Sequence, residues 1–168
     1  VNATSKFRES TFCDIPIVYS PSKESFESFI QGNGTEFLMT LGDKYLNDES
    51  IAKAKECYEI AANQNNSNAY IRLGLFYFFG KGVERDINKA KENLEIASKL
   101  NNPIAFYYLG CLYYIEQNYT KAIECFKVSA ESNDSLSIYF LGWIYENGNG
   151  VDINFPKAKE YYERAANL

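Results

Sequence analysis

Residues 75–90 read LFYFFGKGVERDINKA, and residues 143–158 read WIYENGNGVDINFPKA. Both stretches hold a Tyr, then G-x-G-V, then Lys-Ala. Taken alone, Gly80-Lys81-Gly82 resembles a loop that grips phosphate. Such a loop needs G-x-x-x-x-G-K-[ST] between a strand and a helix. Here helical spacing precedes the glycines, Val83 follows them, and Asn149 replaces Lys81 in the second copy. A loop whose only cation is missing from its twin is not built around that cation. The glycines are read as turn residues that supply positive φ between two helices.

Measured against this turn, the chain contains four copies of one pattern. Leu-Gly pairs stand at Leu41-Gly42, Leu73-Gly74, Leu109-Gly110 and Leu141-Gly142. Tyr45, Tyr77, Tyr113 and Tyr145 follow three residues after each Gly, and Lys53-Ala54, Lys89-Ala90, Lys121-Ala122 and Lys157-Ala158 come later. From each Lys to the next Gly is 21 residues, while Gly to Lys alternates 11, 15, 11, 15. The four extra residues fall at G-x-G-V, which marks a loop between two fixed elements. Apolar residues at −4, −1, 0 and +3 from each Gly, as in Tyr70, Leu73, Gly74 and Tyr77, have helical spacing. Alanines recur after each Lys-Ala, so a second, small-residue helix is expected there. Each helix–turn–helix cannot bury its apolar face alone, but a stack of them can.

These residues resemble the Sel-one-like repeats of the tetratricopeptide-like superfamily. The second and fourth copies match that pattern closely, and the first and third look like the parent tetratricopeptide form, as in QNYTKA at 117–122. The resemblance implies an all-α, right-handed α-solenoid of stacked helix–turn–helix repeats. Four repeats are expected at about 35–66, 67–102, 103–134 and 135–168. Residues 1–34 are expected to form an irregular leader plus a capping helix, with Ser20-Pro21 as N-cap and N1 and Phe26, Phe29 and Ile30 as its apolar face.

The totals narrow the function. The chain has 168 residues, 46% hydrophobic, with net charge −5 and no long basic run, so nucleic acid and anionic membrane are poor partners. No apolar stretch reaches the ~18 residues of a membrane span, so no direct membrane insertion is expected. Residue 1 is Val, and removal of the natural start is expected. With no histidine, the commonest general base and metal ligand are missing. Cys13, Cys57, Cys111 and Cys125 show no C-x-x-C spacing, so neither a metal site nor a cofactor is expected. Free thiols are expected, because repeat spacing separates Cys57 from Cys125 and Cys111 is expected to point elsewhere. Glu84, Asp86, Asp152, Glu92 and Glu95 are read as helix-start acids and a solvated face rather than a catalytic pair. No catalytic residue is assigned.

One set of positions is not demanded by the signature. At −3, +1 and +4 from each Gly, 110–120° around the helix by the ~100° turn per residue, apolar and aromatic residues recur. Met39, Ile71, Leu75, Phe78, Tyr107, Tyr114, Tyr139 and Trp143 are the candidates for a partner-binding surface. In tetratricopeptide-like solenoids such columns line the concave face, and Tyr and Trp dominate interface hot spots. The competing reading is that first helices pack together and cover these residues.

The expected function is a non-enzymatic scaffold or adaptor for another protein. An immunity protein that inhibits a toxin is the alternative. A β-lactam-binding or hydrolysing enzyme is a remote third, since members reported to act so carry regular cysteine pairs that this chain lacks. Asn2, Asn33, Asn65, Asn118 and Asn133 open N-x-[ST] sequons. They would be glycosylation acceptors in a secretory setting, and they incline the reading toward an extracytoplasmic protein. The partner and the oligomeric state are left open.

Overall fold

The computed structural model describes residues 34–168. The expected leader and capping helix therefore fall, up to residue 33, outside the described residues, as do Cys13, Asn2 and Asn33. The described residues form eight α-helices: α1 (Gly34–Asn47), α2 (Ile51–Ala62), α3 (Ser67–Phe79), α4 (Ile87–Lys99), α5 (Pro103–Ile115), α6 (Tyr119–Glu131), α7 (Ser135–Asn147) and α8 (Phe155–Ala166). With no strand among them, this is an all-α solenoid of helical repeats. The chain divides into two units, one ending at Asn93 and one spanning Leu94–Leu168.

Local chemistry sets the helix ends. The side chains of Asn66, Asn102, Asn118, Asp134 and Asn154 accept hydrogen bonds from the backbone N–H of Ala69, Ile104, Lys121, Ser137 and Lys157. Each satisfies a donor that the first helical turn leaves unpaired. In the long turns Gly80 and Gly148 end α3 and α7 in the left-handed conformation, at φ 67° and 70°. Gly82 and Gly150 repeat it at 68° and 74°. The short turns use Glu49 and Gln117 at positive φ, and the connections between repeats use Asn65, Asn101 and Asn133. Asn accepts this conformation more readily than most residues.

Within each unit a helix pair meets through a glycine. A Cβ on Gly42 would lie 2.6 Å from the Tyr58 ring, one on Gly110 2.7 Å from Phe126, and one on Gly142 2.8 Å from Tyr162. Only a residue without a side chain lets α1, α5 and α7 approach the rings on α2, α6 and α8 so closely. Gly82 and Gly150 act in the same way on the helix of the repeat before. A Cβ there would be 2.3 Å from Ile51 Cγ2 at the start of α2, and 2.5 Å from Tyr119 Cβ at the start of α6. The long turns are thus packed against a neighbouring helix start.

The structure also explains why Tyr and Lys recur together. The Nζ atoms of Lys53, Lys89, Lys121 and Lys157 lie 5.3, 5.4, 5.3 and 4.3 Å from the ring centres of Tyr45, Tyr77, Tyr113 and Tyr145. Each ammonium sits within cation–π range of the tyrosine of its own repeat. The contact ties the start of the second helix to the end of the first across either length of turn.

Candidate protein-interaction surface

The eight candidate residues divide evenly between the two units. In the first unit, Met39 and Ile71 are only 9% and 5% exposed. Met39 shares a cluster with Leu38, Leu41 and Leu73. Leu75 and Phe78 are half-buried. Arg85 lies over the Phe78 ring at 5.8 Å, and its Nε donates to the Phe78 carbonyl at 3.0 Å. The same unit holds a polar group absent from the candidate set. Tyr58 donates its hydroxyl proton to Asp43 Oδ1 at 2.5 Å, and Arg72 pairs with the same carboxylate at 3.2 Å. Burial and that hydrogen bond raise the Tyr58 pKa above the ordinary tyrosine value.

The second unit brings Tyr114 and Trp143 together, with ring centres 5.3 Å apart. Tyr119 lies 5.2 Å on from Tyr114, and Asn149 Nδ2 donates to the Tyr114 hydroxyl at 2.9 Å. Asn149, the counterpart of Lys81, therefore fixes an aromatic ring. Tyr107 behaves differently. Its ring centre lies 6.2 Å from Phe126 and 6.1 Å from Phe140, against the core of the unit. Tyr139 is 49% exposed and leans on Tyr162 at 5.2 Å, whose hydroxyl donates to Glu146 at 2.6 Å. Tyr119 and Asn149 thus brace Tyr114, and Tyr162 braces Tyr139, neighbours that the columns at −3, +1 and +4 did not mark. Positional columns on one helix cannot show which neighbouring element closes over them.

The other chemically suggestive residues take structural places. Asp86 accepts from the Lys89 backbone N–H at 3.0 Å and pairs with its ammonium at 3.6 Å, so it serves the start of α4. Cys57, Cys111 and Cys125 are free thiols. Burial pushes the Cys57 pKa up to about 12 and that of Cys125 to about 11, and raises that of Cys111. All three therefore stay protonated at neutral pH and are poor nucleophiles. Among the described residues no group of three or more Cys, Asp or Glu converges on a metal position, and no helix is long and apolar enough to cross a membrane. Of the sequons, Asn65 and Asn133 sit at left-handed turn positions, and Asn118 caps α6.

Helix–turn–helix units repeated in tandem define a helical-repeat protein. The chain belongs to the Sel1 repeat family, which it matches over residues 47–66, 67–102, 104–134 and 135–168. Sel1 repeats are generally protein–protein interaction modules, and proteins of this kind are typically non-enzymatic scaffolds.

Among solved structures, the chain is similar to a Sel1 repeat protein from Oxalobacter formigenes at 29% identity and TM-score 0.73. It is also similar to c5321, a protective antigen of uropathogenic Escherichia coli strains with an SLR fold, at 25% identity and TM-score 0.72. The match covers 86% of this chain in both cases, but 63% of the first protein and 33% of the second. The chain therefore spans less than two thirds of either. MamA matches in fold at 22% identity and TM-score 0.59, over 86% of this chain and 84% of its own. No curated protein sequence matches.

Proposed function

We propose that this chain is a non-enzymatic adaptor that holds another protein against the aromatic surface of its first helices. The observation that carries this reading is the Tyr114–Trp143 pair. Two large rings stand half-buried 5.3 Å apart, braced by Tyr119 and Asn149. Rings held by their neighbours lose little conformational freedom on binding, which is how Tyr and Trp become hot spots. Ile115, the residue after Tyr114, is exposed.

A photo-crosslinking residue at Ile115 tests this, with a control at the exposed Glu163. The expected result is one protein captured at position 115 and not at 163. Trp143→Ala with Tyr114→Ala should then weaken the purified partner by about thirtyfold, the ~2 kcal/mol of a hot spot. Unchanged affinity in that double variant would overturn the reading. Tyr107→Ala should instead lower the thermal midpoint, because its ring packs on Phe126 and Phe140.

A further inference from the structure

The second unit sorts its charges by helix. Every lysine and arginine from Leu94 onward lies on the second helix of a repeat: Lys99 on α4, Lys121 and Lys127 on α6, and Lys157, Lys159 and Arg164 on α8. The first helices carry none. α5 holds no charged residue, and α7 holds only Glu146. Several of the cations are also held where they are. The Lys121 and Lys157 ammoniums sit by Tyr113 and Tyr145, Lys159 pairs with Glu163 at 3.6 Å, and Arg164 donates to the Ala130 carbonyl at 2.6 Å.

Around Tyr114 and Trp143 the charge has one sign. Both rings lie near the C-terminal ends of α5 and α7, where unpaired carbonyls leave a partial negative charge. Glu116 caps α5 two residues past Tyr114 and is exposed. Glu146 stands one turn past Trp143 on the same side of α7, and it too is exposed. Its carboxylate accepts the Tyr162 hydroxyl at 2.6 Å and has capacity for a further donor. The rings add negative faces of their own. Tyrosine rings already seat cations in this chain, since the four repeat lysines lie 4.3 to 5.4 Å from ring centres. Arginine suits a site of rings and carboxylates better than lysine does. Its flat guanidinium stacks on an aromatic face and forks onto a carboxylate.

Building on the adaptor reading above, we infer that the Tyr114–Trp143 surface takes an arginine-bearing, net-basic segment of the partner protein, its guanidinium stacked on these rings and paired with the Glu116 and Glu146 carboxylates. Charge complementarity then selects the partner, while the rings supply the contact area.

Fluorescein-labelled, end-blocked peptides in which glycine alternates with arginine, lysine or glutamate are the probes. Anisotropy with the whole chain should show saturable binding of the arginine peptide, weaker binding of the lysine peptide and none of the glutamate peptide. Trp143→Ala, and separately Glu116→Gln with Glu146→Gln, should each weaken the arginine peptide about tenfold, the loss of one partly desolvated cation contact. Glu124→Gln with Glu160→Gln removes as much charge from exposed sites on α6 and α8 and should leave the affinity unchanged. Absence of saturable arginine-peptide binding, or an equal loss in both glutamine pairs, would overturn the inference. So would a captured protein that loses affinity with Tyr114→Ala and Trp143→Ala but not with Glu116→Gln and Glu146→Gln, and the adaptor reading would then stand without it. Failure of the adaptor reading shows differently, as no protein captured at position 115 or one indifferent to the ring variants. A crosslink from position 115 into this chain itself, in the same or a second copy, would also overturn the inference, because the occupant would then be this chain.

Discussion

The Cβ that Gly110 lacks would lie 2.7 Å from Cε1 of Phe126, so the ring occupies the place of a side chain. Gly110→Ala must displace that ring. Overpacking of this kind costs about 1–3 kcal/mol, offset in part by the ~1 kcal/mol that Ala gains over Gly in a helix. Phe126→Leu should relieve the clash, as the second repeat carries Leu94 at the matching position. Chemical denaturation of the two single variants and the double variant should yield a coupling of about 1 kcal/mol. Additive changes would refute the ring–glycine account.

Ser137 is fully buried and its hydroxyl has no hydrogen-bond partner in the protein. The matching positions in the second and third repeats hold Ala69 and Ala105, also fully buried. Burying an unpaired hydroxyl costs roughly 1–3 kcal/mol. Ser137→Ala should therefore raise stability by about 1 kcal/mol, read as a higher thermal midpoint. A lower midpoint would show that the hydroxyl contributes.

Tyr58 supplies a pH dependence. Burial and its hydrogen bond to Asp43 raise its folded pKa above the ordinary tyrosine value near 10. The unfolded chain then gives up the proton first as the pH climbs. The contribution is fully present below pH ~10 and is lost progressively above it. Tyr58→Phe should lower stability at pH 7 by about 1 kcal/mol, the typical worth of a hydrogen bond. It should also make the alkaline decline shallower. An identical alkaline slope in wild type and variant would contradict this.

The turn glycines should respond unequally to the same added methyl. At Gly80 a Cβ would meet Arg85 Cβ at 3.2 Å, whereas at Gly82 it would meet Ile51 Cγ2 at 2.3 Å. Both sit at positive φ and share that ~1–2 kcal/mol penalty. Gly82→Ala should cost more, and Ile51→Ala in the same chain should recover only the steric part. Urea midpoints of the three variants decide the order.

Much of the fold was legible because helices leave periodic marks. The fixed Lys-to-Gly interval and the alternating Gly-to-Lys interval located the helices and their two kinds of turn. The contacts between helices were less accessible. Lys89 and Tyr77 could be read as recurring residues, but not as touching ones, since contact depends on how the turn folds the second helix back. The interaction columns show the same limit. Met39, Ile71, Tyr107 and Tyr139 occupy one repeat position, yet Met39 and Ile71 are buried, Tyr107 packs on Phe140 and Tyr139 is half exposed. Their neighbours, rather than their own residue types, separate them.

The contacts of Gly82 with Ile51 and of Gly150 with Tyr119 join a long-turn repeat to the short-turn repeat before it. The two contacts lie 68 residues apart, as do Gly42 and Gly110, or Gly74 and Gly142. The unit that can be copied with every internal fit intact is therefore a pair of repeats. Duplicating one repeat alone would set two turns of equal length in succession and leave a glycine facing the wrong helix start. Adding or removing whole pairs would keep contacts of the Gly82–Ile51 and Gly150–Tyr119 kind, so the pair is the step to use in engineering.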